Sequence, residues 1–129
     1  MGLNIEKLKE NAKKARDIII QKNLKLNDFN NQIAFLRKVI NNIFSYKSDE
    51  ERVKQLNNAK SLTVSIVSRL TMDLTVGSLY STILLQADGI DAILDTLKGK
   101  NNTKKIQKHI KEIKDQLNME ELILKNAFP

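Results

Sequence analysis

Asp88, Asp91 and Asp95 stand at i, i+3 and i+7 in "ADGIDAILD", so a helix through them carries its carboxylates on one face, where a hard cation could bind. Such sites normally draw on loops and on further oxygen ligands, and a solvated helix face explains the spacing better. His109 is the single histidine. It lies among lysines in "KKIQKHIKE", away from the apolar stripe of its own helix, and a general base needs a positioned partner. Two further acidic clusters, "SDEE" at 48–51 and "MEEL" at 119–122, read as helix starts, the second opening a last short helical turn. The chain has no cysteine, no glycine loop that could cradle a phosphate and no nucleophile elbow. We expect no enzyme activity, no metal and no cofactor.

The elements that would carry these residues are helices. Four glycines and one proline, the last residue, leave little punctuation for strands and tight turns. A basic amphipathic helix is expected from about residue 3 to 22, with Leu3, Ile5, Leu8, Ala12, Ala15, Ile18 and Ile19 at helical spacing. "NLKLND" connects it to a second helix, capped by Asp28, whose stripe is Phe29, Ile33, Leu36, Ile40 and Ile43. In "SDEE", Ser48 can accept an amide hydrogen bond while Glu51 reaches back, a capping box that starts the third helix. That helix breaks near "MDLTVG", where Asp73 or Thr75 could cap a fourth running to Leu97. Gly99 suits a left-handed helix end, and Asn102 can cap a fifth helix with the stripe Ile106, Ile110, Ile113 and Leu117. The fold class is therefore all-α: one antiparallel bundle of four to five helices spanning residues 1–129.

The segment "LTVGSLYSTILLQA" at 74–87 contains no charge, although 29% of the chain is Asp, Glu, Lys or Arg. A membrane-spanning helix needs about 20 apolar residues, and this run is too short. The N-terminal segment has no continuous apolar core of a secretory signal, so a cytoplasmic location is expected. Between Ser61 and Ala87 only Arg69 and Asp73 are charged. The third and fourth helices thus offer more apolar surface than one side of a small bundle needs. Either all of it is core, or Val64, Val67, Val76, Leu79, Tyr80 and Ile83 line a groove that accepts a partner's amphipathic helix.

The formal net charge of +7 favours anionic partners. Seven lysines between Lys98 and Lys114, with Glu112 the single acid there, could neutralise phosphates. Without tryptophan, and without aromatics among the lysines, base readout is missing, so a nucleic-acid-binding role is the alternative to a protein-binding one. A further alternative is an immunity or inhibitor-type bundle that occupies a target protein.

"FLRKVINNI" at 35–43, "LNNAKSLTVSIVSRLTMDL" at 56–74 and "GSLYSTILLQAD" at 77–88 resemble the core of the FliS-type flagellar export chaperones. Asn58, Ala59 and Lys60 fall where that family's "KA..II..L...L" helix begins, and Leu79 and Tyr80 match its Leu-Tyr pair. Thr82 stands where the family has a second aromatic, which suits a co-chaperone with the same bundle. The resemblance implies a cytosolic antiparallel bundle whose apolar surface holds an export substrate or a partner chaperone.

Overall fold

Each apolar stripe needs a second stripe to cover it, and the computed structural model, which describes residues 5–70, 73–99 and 103–129, shows how they are paired. Side chains are described from residue 9 onward, residue 74 excepted. The helices are α1 (Ile5–Gln21), α2 (Leu26–Asn41), α3 (Asp49–Leu70), α4 (Gly77–Lys98) and α5 (Thr103–Ala127), with a short 3₁₀ turn at Leu74–Val76 before α4. Among the described residues there is no strand. α2 packs on α3, α3 on α4, α4 on α5, and α5 closes the ring against α2, while α1 lies on α5 and the 3₁₀ turn. The expected all-α bundle is observed. Phe29, Ile33, Leu36, Ile40 and Ile43 are all buried, as are Ile106, Ile110, Ile113 and Leu117, so both sequence stripes face the core.

α1 is held by its C-terminal end. Asn23 adopts a left-handed conformation (φ 60°). The Leu24 amide then donates to the Ile19 carbonyl at 3.1 Å and the Asn23 amide to the Ile20 carbonyl at 3.0 Å, the Schellman arrangement. Leu24 and Ile19 are both buried beneath it, the apolar contact that usually accompanies this motif.

Ser48 caps α3 as expected: the Glu51 amide donates to its Oγ at 3.1 Å. The other half of the expected capping box does not form: the Glu51 carboxylate accepts from Gln55 Nε2 at 3.1 Å, onward along the helix, rather than reaching back to Ser48. Three further expectations need correction. Asp28 does not precede α2; it lies in its first turn and accepts from the Lys25 amide at 2.8 Å, because the helix starts at Leu26, before the apolar stripe that begins at Phe29. Gly99 is extended (φ −94°, ψ −165°), so the α4 end uses no left-handed residue. "MEEL" starts no new turn: α5 continues through it to Ala127, with Glu120 inside the core. Asn102 lies outside the described residues. Asp73 does serve the break before α4, its Oδ1 accepting from the Thr75 amide at 3.0 Å.

The α2–α3 corner is tied by Arg52. Its Nε donates to the Ile43 carbonyl at 2.7 Å, Nη2 to the Tyr46 carbonyl at 2.7 Å and Nη1 to Asp49 Oδ1 at 2.9 Å. The guanidinium thus satisfies carbonyls of the turn that follows α2 and draws the start of α3 back against it. Arg52→Ala is expected to lower unfolding free energy by about 1–3 kcal/mol through loss of charge-assisted bonds. Arg52→Lys should recover only part of it, since an ammonium lacks the planar fork. Urea titration of both variants measures this.

Candidate functional site

α4 has neighbours on both flanks, and this decides which of its apolar residues remain free. Leu79 and Ile83 point between α3 and α5 and are fully buried, with Val76 at the 3₁₀ turn and Val67 on α3 buried beside them. These four residues belong to the core, so of the two readings left open by the sequence a groove lined by all six does not form. Val64 is 40% exposed and Tyr80 is half-buried; these two of the six reach the surface.

The exposed apolar face runs further out. Lys60 Nζ meets Asp91 Oδ1 at 2.6 Å across the α3–α4 seam. Val64 is one turn beyond Lys60, and Leu84, 37% exposed, is two turns before Asp91, so both follow the outer edge of that seam with Tyr80. On the opposite flank, Thr82 Oγ1 donates to Gln116 Oε1 at 2.5 Å and approaches the Gln116 carbonyl at 3.2 Å. Leu85 and Met119 follow these two residues by three positions and emerge on the outer side of the α4–α5 seam, with Leu122 beside Met119 on α5. All three are about half exposed. Two residues of this face, Met119 and Leu122, thus come from α5, outside the third and fourth helices on which the sequence places the apolar surplus.

Beneath the seams lies a polar cluster that the sequence stripes did not flag. Gln32 on α2, Thr63 on α3, Gln86 on α4 and Glu120 on α5 are each at most 1% exposed. Gln32 Nε2 donates to Gln86 Oε1 at 2.8 Å and lies 3.2 Å from Thr63 Oγ1, whose hydroxyl donates to the Ala59 carbonyl at 2.8 Å. Gln86 Nε2 donates to Glu120 Oε1 at 2.8 Å. The remaining end of the Gln32 amide is 2.7 Å from Glu120 Oε2 and 3.1 Å from Oε1. Gln32, Gln86 and Glu120 therefore form a closed triangle.

The protonation of that triangle follows from counting donors. Each glutamine presents one oxygen and one amino group to its two neighbours, so two amides supply two donors for three edges. Turning the Gln32 amide over would give Glu120 a donor but set the Gln32 oxygen against the Gln86 oxygen at 2.8 Å. A carboxylate thus leaves one edge with two facing oxygens in any amide orientation. A protonated carboxyl closes it, with Glu120 donating to Gln32. Burial pushes the Glu120 carboxyl up to about 8. The Gln86 hydrogen bond and the Arg37 charge pull it down, and the nearby Glu121 charge adds to the rise. At the surface above, Arg37 donates to Asn118 Oδ1 at 2.9 Å and to the Glu121 carboxylate, which this bond holds below its usual range.

The groups first considered for chemistry stay apart. Asp91 pairs with Lys60, Asp95 approaches Lys98 at 3.8 Å, and Asp88 is exposed. His109 Nδ1 faces Glu112 at 3.5 Å at the surface. Among the described residues no group of His, Cys, Asp or Glu is placed to hold a metal ion, and no helix is long and apolar enough to cross a membrane. No family model matches this chain, and no curated protein or solved structure matches it.

Proposed function

We propose that this chain is a non-enzymatic protein-binding bundle, a chaperone or co-chaperone of the flagellar export type, that holds its partner on the outer face of α3, α4 and α5. The observation that carries this reading is the exposed apolar face formed by Val64, Tyr80, Leu84, Leu85, Met119 and Leu122, the first four of them on the charge-poor stretch 61–87. Apolar side chains at helical spacing along two seams suit an amphipathic helix laid across them, with affinity from a few anchors. The Leu79-Tyr80 resemblance supports the export-chaperone form of the reading, with Tyr80 at the surface and Leu79 beneath it supporting the helix from inside.

The test is an affinity pull-down from a native lysate at low and high salt, with wild type and a Leu85→Asp/Met119→Asp variant. Both residues are exposed, so the variant is expected to keep the helical circular dichroism of wild type while binding its partner at least about tenfold more weakly. A flagellar chaperone or export substrate retained at high salt is the expected recovery. A partner held equally by the variant, or nucleic acid alone recovered and then lost at high salt, overturns the proposal.

A further inference from the structure

The other flank of α5 carries a different surface. Where Arg37 bridges to Asn118 and Glu121, the α2–α5 seam is closed. Beyond that bridge, toward the C-terminal end of α2, it opens into a groove of about 360 Å³ lined by Ile40, Asn41, Phe44, Gln107, Ile110, Lys111 and Lys114. The lining is graded. Ile40 and Ile110 are buried and form the floor, Phe44 stands 49% exposed in the turn after α2, and Lys111 and Lys114 rise along the α5 wall. Acids nearby are engaged: Glu112 faces His109, and Glu121 bonds Arg37. Asp115, next to Lys114 on the solvent side, is the remaining carboxylate of this stretch.

We infer that this groove binds an acidic amphipathic helix, one that seats an apolar side chain on Ile40, Phe44 and Ile110 and sets carboxylates against Lys111 and Lys114. The lysines are three residues apart on one helix face, and Asp or Glu three or four residues apart on a partner helix match them in pitch. Asn41 and Gln107 give the rims neutral donors and acceptors for the partner's polar edge. Ile40 and Ile110 make the floor aliphatic and Phe44 is the single ring at its edge, an arrangement that suits one apolar peptide anchor better than successive bases, each of which stacks on its own aromatic platform. Charge on one wall speeds and orients docking, and the apolar floor supplies most of the affinity. This groove is separate from the α3–α4–α5 face, so the inference stands or falls independently of the proposed function.

The experiment is selection from a displayed library of helix-forming peptides on the immobilised full chain, with affinities of the selected peptides measured by fluorescence anisotropy. The expected winners carry Asp or Glu at helical spacing around a large apolar residue. They should bind Phe44→Ala at least about tenfold more weakly. A Lys111→Glu/Lys114→Glu variant should reject them and select basic peptides instead. Leu85→Asp, outside the groove, should bind them as wild type does. Circular dichroism confirms that each variant is folded. Winners with no acidic preference, equal binding to Phe44→Ala, or displacement by a single-stranded oligonucleotide as effective as the unlabelled peptide would overturn the inference.

Discussion

Between about pH 4.5 and about pH 8, wild-type protein is expected to lose stability steadily relative to a Glu120→Gln variant, by a few kcal/mol in total. Below the ordinary carboxylate range both folded and unfolded chains hold the Glu120 proton, and its contribution to stability is fully present. As pH rises the unfolded chain releases that proton first, while the folded chain keeps it to close the triangle with Gln32 and Gln86. Each pH unit in this window then costs the wild type on the order of 1.4 kcal/mol. Above about 8 the folded carboxyl ionises as well and the loss levels off. In the variant an amide replaces the carboxyl: its N–H can donate to Gln32 and its oxygen accept from Gln86, with no titration. Arg37 and Glu121 are present in both proteins, so their own pH dependence largely cancels in the difference. Chemical denaturation of both proteins across this range measures the effect. Parallel curves would show that Glu120 is ionised in the folded chain.

Gly89→Ala is expected to destabilise the protein by about 1–3 kcal/mol, although alanine is the better helix former by about 1 kcal/mol. A Cβ at this position would stand 2.6 Å from Ile113 Cγ1 and 3.1 Å from its Cδ1. Cγ1 is bound to the Cβ of a side chain that is itself buried in the core, so it has little room to move aside. Close approach of α4 and α5 therefore depends on the missing side chain. A double-mutant cycle with Ile113→Ala isolates the contact. Ile113→Ala alone leaves a cavity costing about 2–5 kcal/mol, and the added methyl at Gly89 should recover part of that loss in the double variant. Strictly additive effects, measured by urea unfolding, would argue against the clash.

The helices were legible because their stripes are local. Phe29 to Ile43 and Ile106 to Leu117 repeat at three and four residues, and those positions are buried in the fold. Ser48 was legible for the same reason, since a cap and its amide are neighbours in sequence. The exposed apolar face was less so. Val67, Leu79 and Ile83 cannot be told from Val64 or Leu84 by type, and only the packing of α4 between α3 and α5 sorts them. The buried triangle was hidden by distance along the chain: Gln32 and Gln86 are 54 residues apart, and Gln86 and Glu120 are 34 apart. One local clue did exist. Glu120 follows Leu117 by three and precedes Leu124 by four, so it continues the α5 stripe, and a carboxyl on a core stripe needs a buried partner.

That triangle also acts as a gauge of alignment. If α5 slid one turn in one direction, Ile123 or Leu124 would replace Glu120 and leave Gln32 and Gln86 each with an unanswered polar end. Sliding it the other way could bring in the Gln116 amide, but would strip Thr82 of its partner and push the Glu120 carboxyl into the apolar seat of Leu124. Purely aliphatic stripes resist such slippage weakly, because one leucine or isoleucine substitutes for another with little penalty. Here a one-turn slip of α5 in either direction buries a polar group without a mate, so a few amide and carboxyl groups favour one vertical setting of the last helix.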